Sequence, residues 1–208
     1  MKKLFCCLIG VNCFFITFSQ TQYAIRGGYN LSTAKVKDFR IEQPTGYKSG
    51  FNLGIQAKIP FEPPIYFSPF ISYSLRGYSI NPLIDSLPEI ETSIHYIDIA
   101  PLLSYDIKTG SGNHFTITAG PLAGIAFSGT EKSTANGHTT SSKMTFSLSG
   151  NYSYIDMAMY GSLGYHFNKI FIEAAYQHGF VSINNEQERD GRKIENRLFS
   201  FNIGYYFK

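Results

Sequence analysis

The residues best equipped for chemistry in this sequence are its five histidines, His95, His114, His138, His166 and His178. A metal centre needs its ligands at a spacing, such as His-x-His or His-x3-His, that lets one element present them together. None of the five has such a spacing, so neither a metal nor a cofactor is expected. A nucleophile needs a base within hydrogen-bond reach and a third group to orient that base. The nearest approach is His178 with Ser182, and Glu173 upstream as the orienting carboxylate. A pairing this loose arises readily by chance, and no catalytic residue is assigned. The remaining charged residues of interest are Arg26, Lys58, Arg76, Asp98, Asp106, Asp156 and Glu173, with Gln177 beside them. Each sits on the polar side of a segment whose other side is apolar.

Those segments alternate with period two, the signature of strands with one face against an apolar medium. In the last one, Phe199, Phe201, Ile203, Tyr205 and Phe207 oppose Ser200, Asn202, Gly204 and Tyr206. The first, from Tyr23 to Ser32, and the second, from Phe51 to Ile59, repeat the pattern, as do Tyr66–Tyr78, Ser93–Ile107, His114–Phe127, Tyr154–Phe167 and, more weakly, Ile170–Ser182. About eight strands result, a common number for small outer-membrane barrels. The connections alternate between long (Lys35–Thr45, Ile80–Glu91, Ser128–Asn151, Asn184–Lys193) and short (Pro60–Pro64, Lys108–Asn113, Asn168–Lys169). One rim of short periplasmic turns and one of long external loops is what such barrels show, and an even strand number returns both termini to the periplasm. Inside lipid every backbone donor must be paired, so the expected fold is all-β: a closed, antiparallel, up-and-down transmembrane β-barrel. Pro69, Pro101 and Pro121 fall within these segments on the outward face, which places them near a rim or at bulges.

Composition agrees. The chain has 208 residues, 16% aromatic, with 18 Phe, 15 Tyr and no Trp, a bias toward strands. The net charge of +3 includes Lys2 and Lys3, so nothing points to nucleic acid. Residues 1–19 open on that basic pair, run apolar from Leu4 to Phe18 and end in Thr17-x-Ser19, the pattern of a secretory signal peptide cleaved before Gln20. The run is shorter than the roughly 20 residues a spanning helix needs. Cys6, Cys7 and Cys13 all lie inside it, which leaves the expected mature domain, residues 20–208, without disulfides or thiolate chemistry.

The ordered set IRGGYNLS (Ile25–Ser32), GFNLGIQAKIPF (Gly50–Phe61), FSPFISYSLRGYS (Phe67–Ser79), HYIDIAPLLSYDI (His95–Ile107), ITAGPLAGIAF (Ile117–Phe127) and SFNIGYYF (Ser200–Phe207) resembles the PorT-like, or porin-like, group of small outer-membrane β-barrel proteins. The resemblance implies fold and an outer-membrane location in a Gram-negative-type cell. It also suggests a link to protein secretion, to which the group's named member is tied. Lys208 departs from it, because barrel-insertion signals usually end on the aromatic that here is Phe207.

An eight-stranded barrel is just wide enough for side chains to fill, so Arg26, Lys58, Arg76, Asp98, Asp106, Asp156, Glu173 and Gln177 are expected to form a polar network in the lumen. Tyr23, Tyr78, Tyr105, Phe127, Tyr165, Phe180 and Phe207 are read as aromatic girdles at the two membrane boundaries. The Ser/Thr-rich stretch Ser128–Asn151 and the charged Asn184–Lys193 are read as solvated external loops, where a partner would dock. The expected role is structural or docking in the envelope. Expected partners are outer-membrane lipid, the barrel-insertion machinery through the C-terminal strand, and an envelope or secretion protein. Two alternatives are a lipid-modifying barrel enzyme using His178 and Ser182, and a soluble secreted barrel that binds a ligand inside. The latter requires polar residues outside and apolar ones inside.

Overall fold

The computed structural model describes residues 20–39, 41–81, 88–110, 112–147, 150–186 and 191–207. Residues 1–19, read above as a signal peptide and holding the three cysteines, and Lys208 lie outside the described residues. Eight staves make the wall. They are β1 (Gln22–Asp38), β2 (Lys48–Glu62), β3 (Ile65–Phe67, Phe70–Arg76 and Ser79–Ile80), β4 (Glu89–Ala100 and Leu103–Lys108), β5 (His114–Ala135), β6 (Ile155–Phe167), β7 (Ile170–Gly179) and β8 (Arg192–Tyr206). Each pairs antiparallel with its neighbours in sequence. The ring closes where β8 pairs with β1 in unbroken register from Ala24↔Tyr206 to Asp38↔Arg192. Among the described residues no sheet edge is left within the apolar zone, as a lipid environment demands.

The alternation read from the sequence sets the two faces. Leu53, Ile55, Leu163, Phe201 and Ile203 project outward and are exposed, whereas Arg26, Asp98, Asp156 and Asn30 point inward and are buried. The soluble ligand-binding alternative requires the opposite partition, and this wall excludes it. Apolar side chains contribute to the interior in three clusters, each filling space between polar layers. Phe171 and Tyr206 lie with Ala24 near the short-turn end, Phe70, Leu102, Leu122 and Tyr160 lie midway, and Val36, Tyr78, Ile94, Tyr96 and Ile194 lie toward the long loops. Gly204 makes the first cluster possible: a Cβ there would run into Cζ of Phe171, whose ring lies across the β8 backbone.

The prolines are placed more exactly than the sequence allowed. Pro69 and Pro101 occupy breaks in β3 and β4 that lie side by side, joined by a hydrogen bond from Ser68 N to Leu102 O of 2.8 Å. Pro121 instead lies inside the continuous strand β5 and pairs with Met159 on its β6 side. The β4–β5 ladder runs to Ala119↔Leu103 and resumes at Ala123↔Ile99, a register that sets Pro101 directly opposite Pro121. Two residues without N–H thus share one silent rung, so no backbone donor is wasted there.

The strands also outrun the apolar pattern. β5 reaches Ala135 and forms a hairpin with a strand at His138–Lys143, through Asn136 and Gly137 at φ of 51° and 79°, a two-residue turn with both central residues left-handed. The stretch Ser128–Asn151 is therefore not simply a solvated loop. After Lys143 the chain folds back, and Met144, Phe146 and Tyr152 join the apolar cluster in the barrel mouth with Ile183.

Candidate functional site

Inside the wall the charged side chains stack in layers. At the short-turn end Lys58 Nζ lies 2.6 Å from Asp106 Oδ2 and 4.4 Å from the centre of the Tyr66 ring. Asp106 also accepts from Thr116 Oγ1 at 2.8 Å and lies 3.4 Å from His114 Nε2. His114 stacks on His166, rings 4.5 Å apart, and His166 on Phe171, so two of the histidines serve as packing at this end. Midway, Glu173 Oε1 accepts from Arg26 Nη2 and Tyr160 Oη, both at 2.6 Å, and from Asn202 Nδ2 at 3.0 Å, while Oε2 accepts from Ser162 at 2.9 Å. The Arg26 guanidinium stacks 4.4 Å over Phe70 and donates to Gln56 Oε1 at 3.1 Å.

An amide ladder leads upward from there. Asn52 Nδ2 donates to Asn202 Oδ1 and Asn30 Oδ1, and Asn30 Nδ2 donates to Ser74. In the next layer Arg76 pairs with Asp98, lies 3.7 Å from Asp156, donates to Gln177 Oε1 at 3.1 Å and stacks 3.9 Å over Tyr96. Asp156 accepts in turn from Asn196 at 2.8 Å. Gly124 leaves the room this needs, because a Cβ on it would meet Arg76 Nη2 at 2.5 Å. Arg26, Lys58, Arg76, Asp98, Asp106, Asp156, Glu173 and Gln177 are thus all in the lumen, each with a partner of opposite charge or a hydrogen bond. Burying an ion is tolerable only with such pairing. A cavity of about 10 Å³ between Lys58, His166, Ser104 and Tyr206 has room for roughly one water. The amide side chains that join the layers, Asn30, Asn52, Asn196 and Asn202, were not singled out from sequence, although their inward parity marks them.

Above these layers sits the apolar plug of Met144, Phe146, Tyr152 and Ile183. Tyr152 Oη donates to Glu131 at 2.8 Å, and burial pushes its phenol well above the ordinary range. On the loop side, Lys48 Nζ lies 2.6 Å from Glu91 and, by that hydrogen bond, holds the Glu91 carboxyl below its usual range. Tyr78 belongs with the plug and not with a girdle: it is 1% exposed, because it continues the inward series Ser72, Ser74, Arg76 of β3. Thr92 Oγ1 accepts from its N–H at 3.1 Å. Of the other aromatics read as girdle, Tyr23, Tyr105, Phe127, Phe180 and Phe207 are exposed and Tyr165 is half-buried. An outward group that sequence reading missed joins them. Tyr73 Oη lies 2.6 Å from His95 Nδ1, and both rings pack near Phe127.

The residues considered for catalysis do not assemble. Glu173 is committed to Arg26 in the lumen, while His178 projects from the outer face and contacts Tyr176 Oη at 3.3 Å. Ser182 Oγ accepts from the N–H groups of Asn184 and Ile194, both at 3.2 Å. Among the described residues no group of three or more His, Cys, Asp or Glu could hold a metal.

Three solved structures are similar to this chain at low identity. Ail of Yersinia pestis matches at 16% identity over 90% of this chain and 99% of its own, with a TM-score of 0.46. Neisserial surface protein A matches at 12% over 88% and 96%, TM-score 0.47, and OprG of Pseudomonas aeruginosa at 16% over 89% and 95%, TM-score 0.45. No curated protein matches the chain. The sequence model of the outer membrane protein β-barrel domain matches residues 18–185, most of the ring just described, and the chain belongs to that family.

Proposed function

We propose that this protein is a non-conducting outer-membrane barrel that docks another envelope protein on its long-loop side, with both termini in the periplasm. The filled lumen argues against solute passage: three charged layers and an apolar plug occupy it, and the cavity beside Lys58 and His166 has room for about one water. The order of strand motifs supports a place in the PorT-like group of the family, and with it a connection to secretion. The C-terminal strand Arg192–Tyr206, with its outward aromatic series, suits recognition by barrel-insertion machinery.

The observation that carries docking is the open edge of His138–Lys143. Among the described residues this strand pairs only with β5, and every residue in it is exposed. The Ala135↔His138 pair closes the two-residue hairpin, so Thr140 and Ser142 turn their backbone groups inward to β5, and Thr139, Ser141 and Lys143 turn theirs outward. An unpaired row of this kind is a template for strand addition. A second copy in the same membrane is a poor occupant. Two copies related by an axis along the membrane normal would run parallel with identical residues facing, whereas a parallel ladder needs an inward-turned residue opposite an outward-turned one. The occupant that fits is an extended segment of a different protein.

A photo-crosslinking residue at Thr139, irradiated in intact cells, tests this reading. A discrete heterologous adduct is expected, lost on Ser141→Pro, which removes an outward N–H and leaves the hairpin bonds in place. No adduct, or one indifferent to Ser141→Pro, overturns strand docking. Vesicles carrying the purified barrel should swell in sugar solution no faster than protein-free vesicles.

A further inference from the structure

The outer surface above the apolar belt is uneven in charge. On β7, β8 and β1 the last apolar rung is Tyr176, Phe199 and Leu31, with the first two rings 4.6 Å apart. The next rung is His178, Arg197 and Thr33. Above it Glu195 faces Lys35, and above that Lys193 faces Lys37 directly. The opposite wall at comparable height, on β4 and β5, carries His95 and Ser128, Ser93 and Thr130, then Glu91 with Lys132 and Glu89 with Thr134. Four cations other than histidine therefore crowd the first wall, against Glu195 and Glu42. Glu195 lies 2.5 Å from Lys193, and Glu42, opposite Lys37 across the edge of β1, lies 3.4 Å from Lys35, so two carboxylates face four cations and two positive charges, Arg197 among them, are left over.

Arg197 is the informative member. It is half-buried one rung above Phe199, and its Nε is shielded from solvent with no hydrogen-bond acceptor among the described residues. Its strand neighbours, Thr33 and His178, offer no negative charge. Like charges directly opposite on a ladder, as at Lys37 and Lys193, are unfavourable unless an anion lies between them. Arginine recognises phosphate through two parallel N–H donors, and lipid phosphates lie where tails give way to water, the height at which this rung stands.

We propose that the outer face of β7, β8 and β1 binds the phosphate of an anionic membrane lipid, held by Arg197 with Lys35, Lys37 and Lys193 around it. The lipid's tails lie along the exposed Tyr29, Phe199 and Phe201 below. The inference rests on the reading that the apolar belt faces a bilayer. It does not depend on the docking edge, which stands on a different wall.

The experiment uses the full folded barrel in neutral detergent, with bound lipid counted by native mass spectrometry and the thermal midpoint followed in parallel. Phosphatidic acid is compared with diacylglycerol of the same tails, and with inorganic phosphate alone. Phosphatidic acid is expected to bind and raise the midpoint, and the other two are not. Each neutralised cation should weaken binding about fivefold, a factor set by the attraction of a single Lys or Arg near a membrane surface. Arg197→Gln and the pair Lys37→Gln with Lys193→Gln should both show the loss, and Lys132→Gln on the opposite wall should not. The lysine pair keeps the test decisive if Arg197→Gln folds poorly. Equal binding of diacylglycerol, an equal effect of inorganic phosphate, or full retention in the lysine pair overturns the proposal. An unchanged heat-dependent gel shift in each variant separates loss of the site from loss of the barrel.

Discussion

Glu173 is the residue whose removal the barrel should tolerate least. Its carboxylate takes four donors, from Arg26, Tyr160, Asn202 and Ser162, at 2.6 to 3.0 Å. Glu173→Leu leaves the Arg26 guanidinium buried with only Gln56 Oε1 and the Tyr160 oxygen as acceptors, and its Nε already has none. Breaking a buried pair this way costs about 3–5 kcal/mol. Arg26→Met is the milder change, because Glu173 keeps its three neutral donors and the methionine refills the space over Phe70; about half the cost is expected. The double variant exchanges a paired, desolvated ion couple for apolar volume, so it should fall near the Arg26→Met value or closer to wild type, giving a coupling energy of at least about 3 kcal/mol. Urea unfolding in lipid vesicles, followed by tyrosine fluorescence and the gel shift on heating, measures all four corners of the cycle. Additive costs, or Glu173→Leu within about 1 kcal/mol of wild type, would show that the layer is a set of independent contacts and refute the reasoning.

Other consequences are open to simpler measurement. Tyr78→Ala should cost about 3–5 kcal/mol in the same urea assay, as a buried aromatic does, and Tyr105→Ala well under half of that; equal costs would return Tyr78 to a girdle role. Gly204→Ala drives a methyl into the Phe171 ring and should destabilise by about 1–3 kcal/mol; an unchanged urea midpoint would mean the ring has free space to move. Met144→Ser with Phe146→Ser should speed amide exchange in residues 150–155 on the order of tenfold while vesicle swelling stays at background, because the Arg76 and Arg26 layers below the plug still fill the lumen. A rise in swelling would mean the plug alone seals the barrel.

What the sequence made legible tracks where one face of a strand meets lipid. Between Tyr23 and Leu31, or Phe199 and Phe207, each outward residue must be apolar and each inward residue must fit a narrow polar interior, so period-two alternation specifies orientation, register and the occupants of the lumen together. Beyond the apolar belt that constraint lapses. In His138–Lys143 every residue meets water, Ser and Thr satisfy either side equally, and the strand leaves no alternation to read; only Asn136-Gly137 marks the turn. Tyr78 fell between the two regimes. Its parity pointed inward with Arg76, but its position at a strand end suggested a boundary aromatic, and the plug that claims it comes from Met144, Phe146, Tyr152 and Ile183, distant in sequence and silent as a pattern. Arg197 escaped for the complementary reason. It is the first outward residue after the apolar series ends, so counting along β8 reads it as the limit of the membrane. Only the neighbouring strands bring Lys35, Lys37 and His178 beside it and turn a strand boundary into a surface with an excess of positive charge.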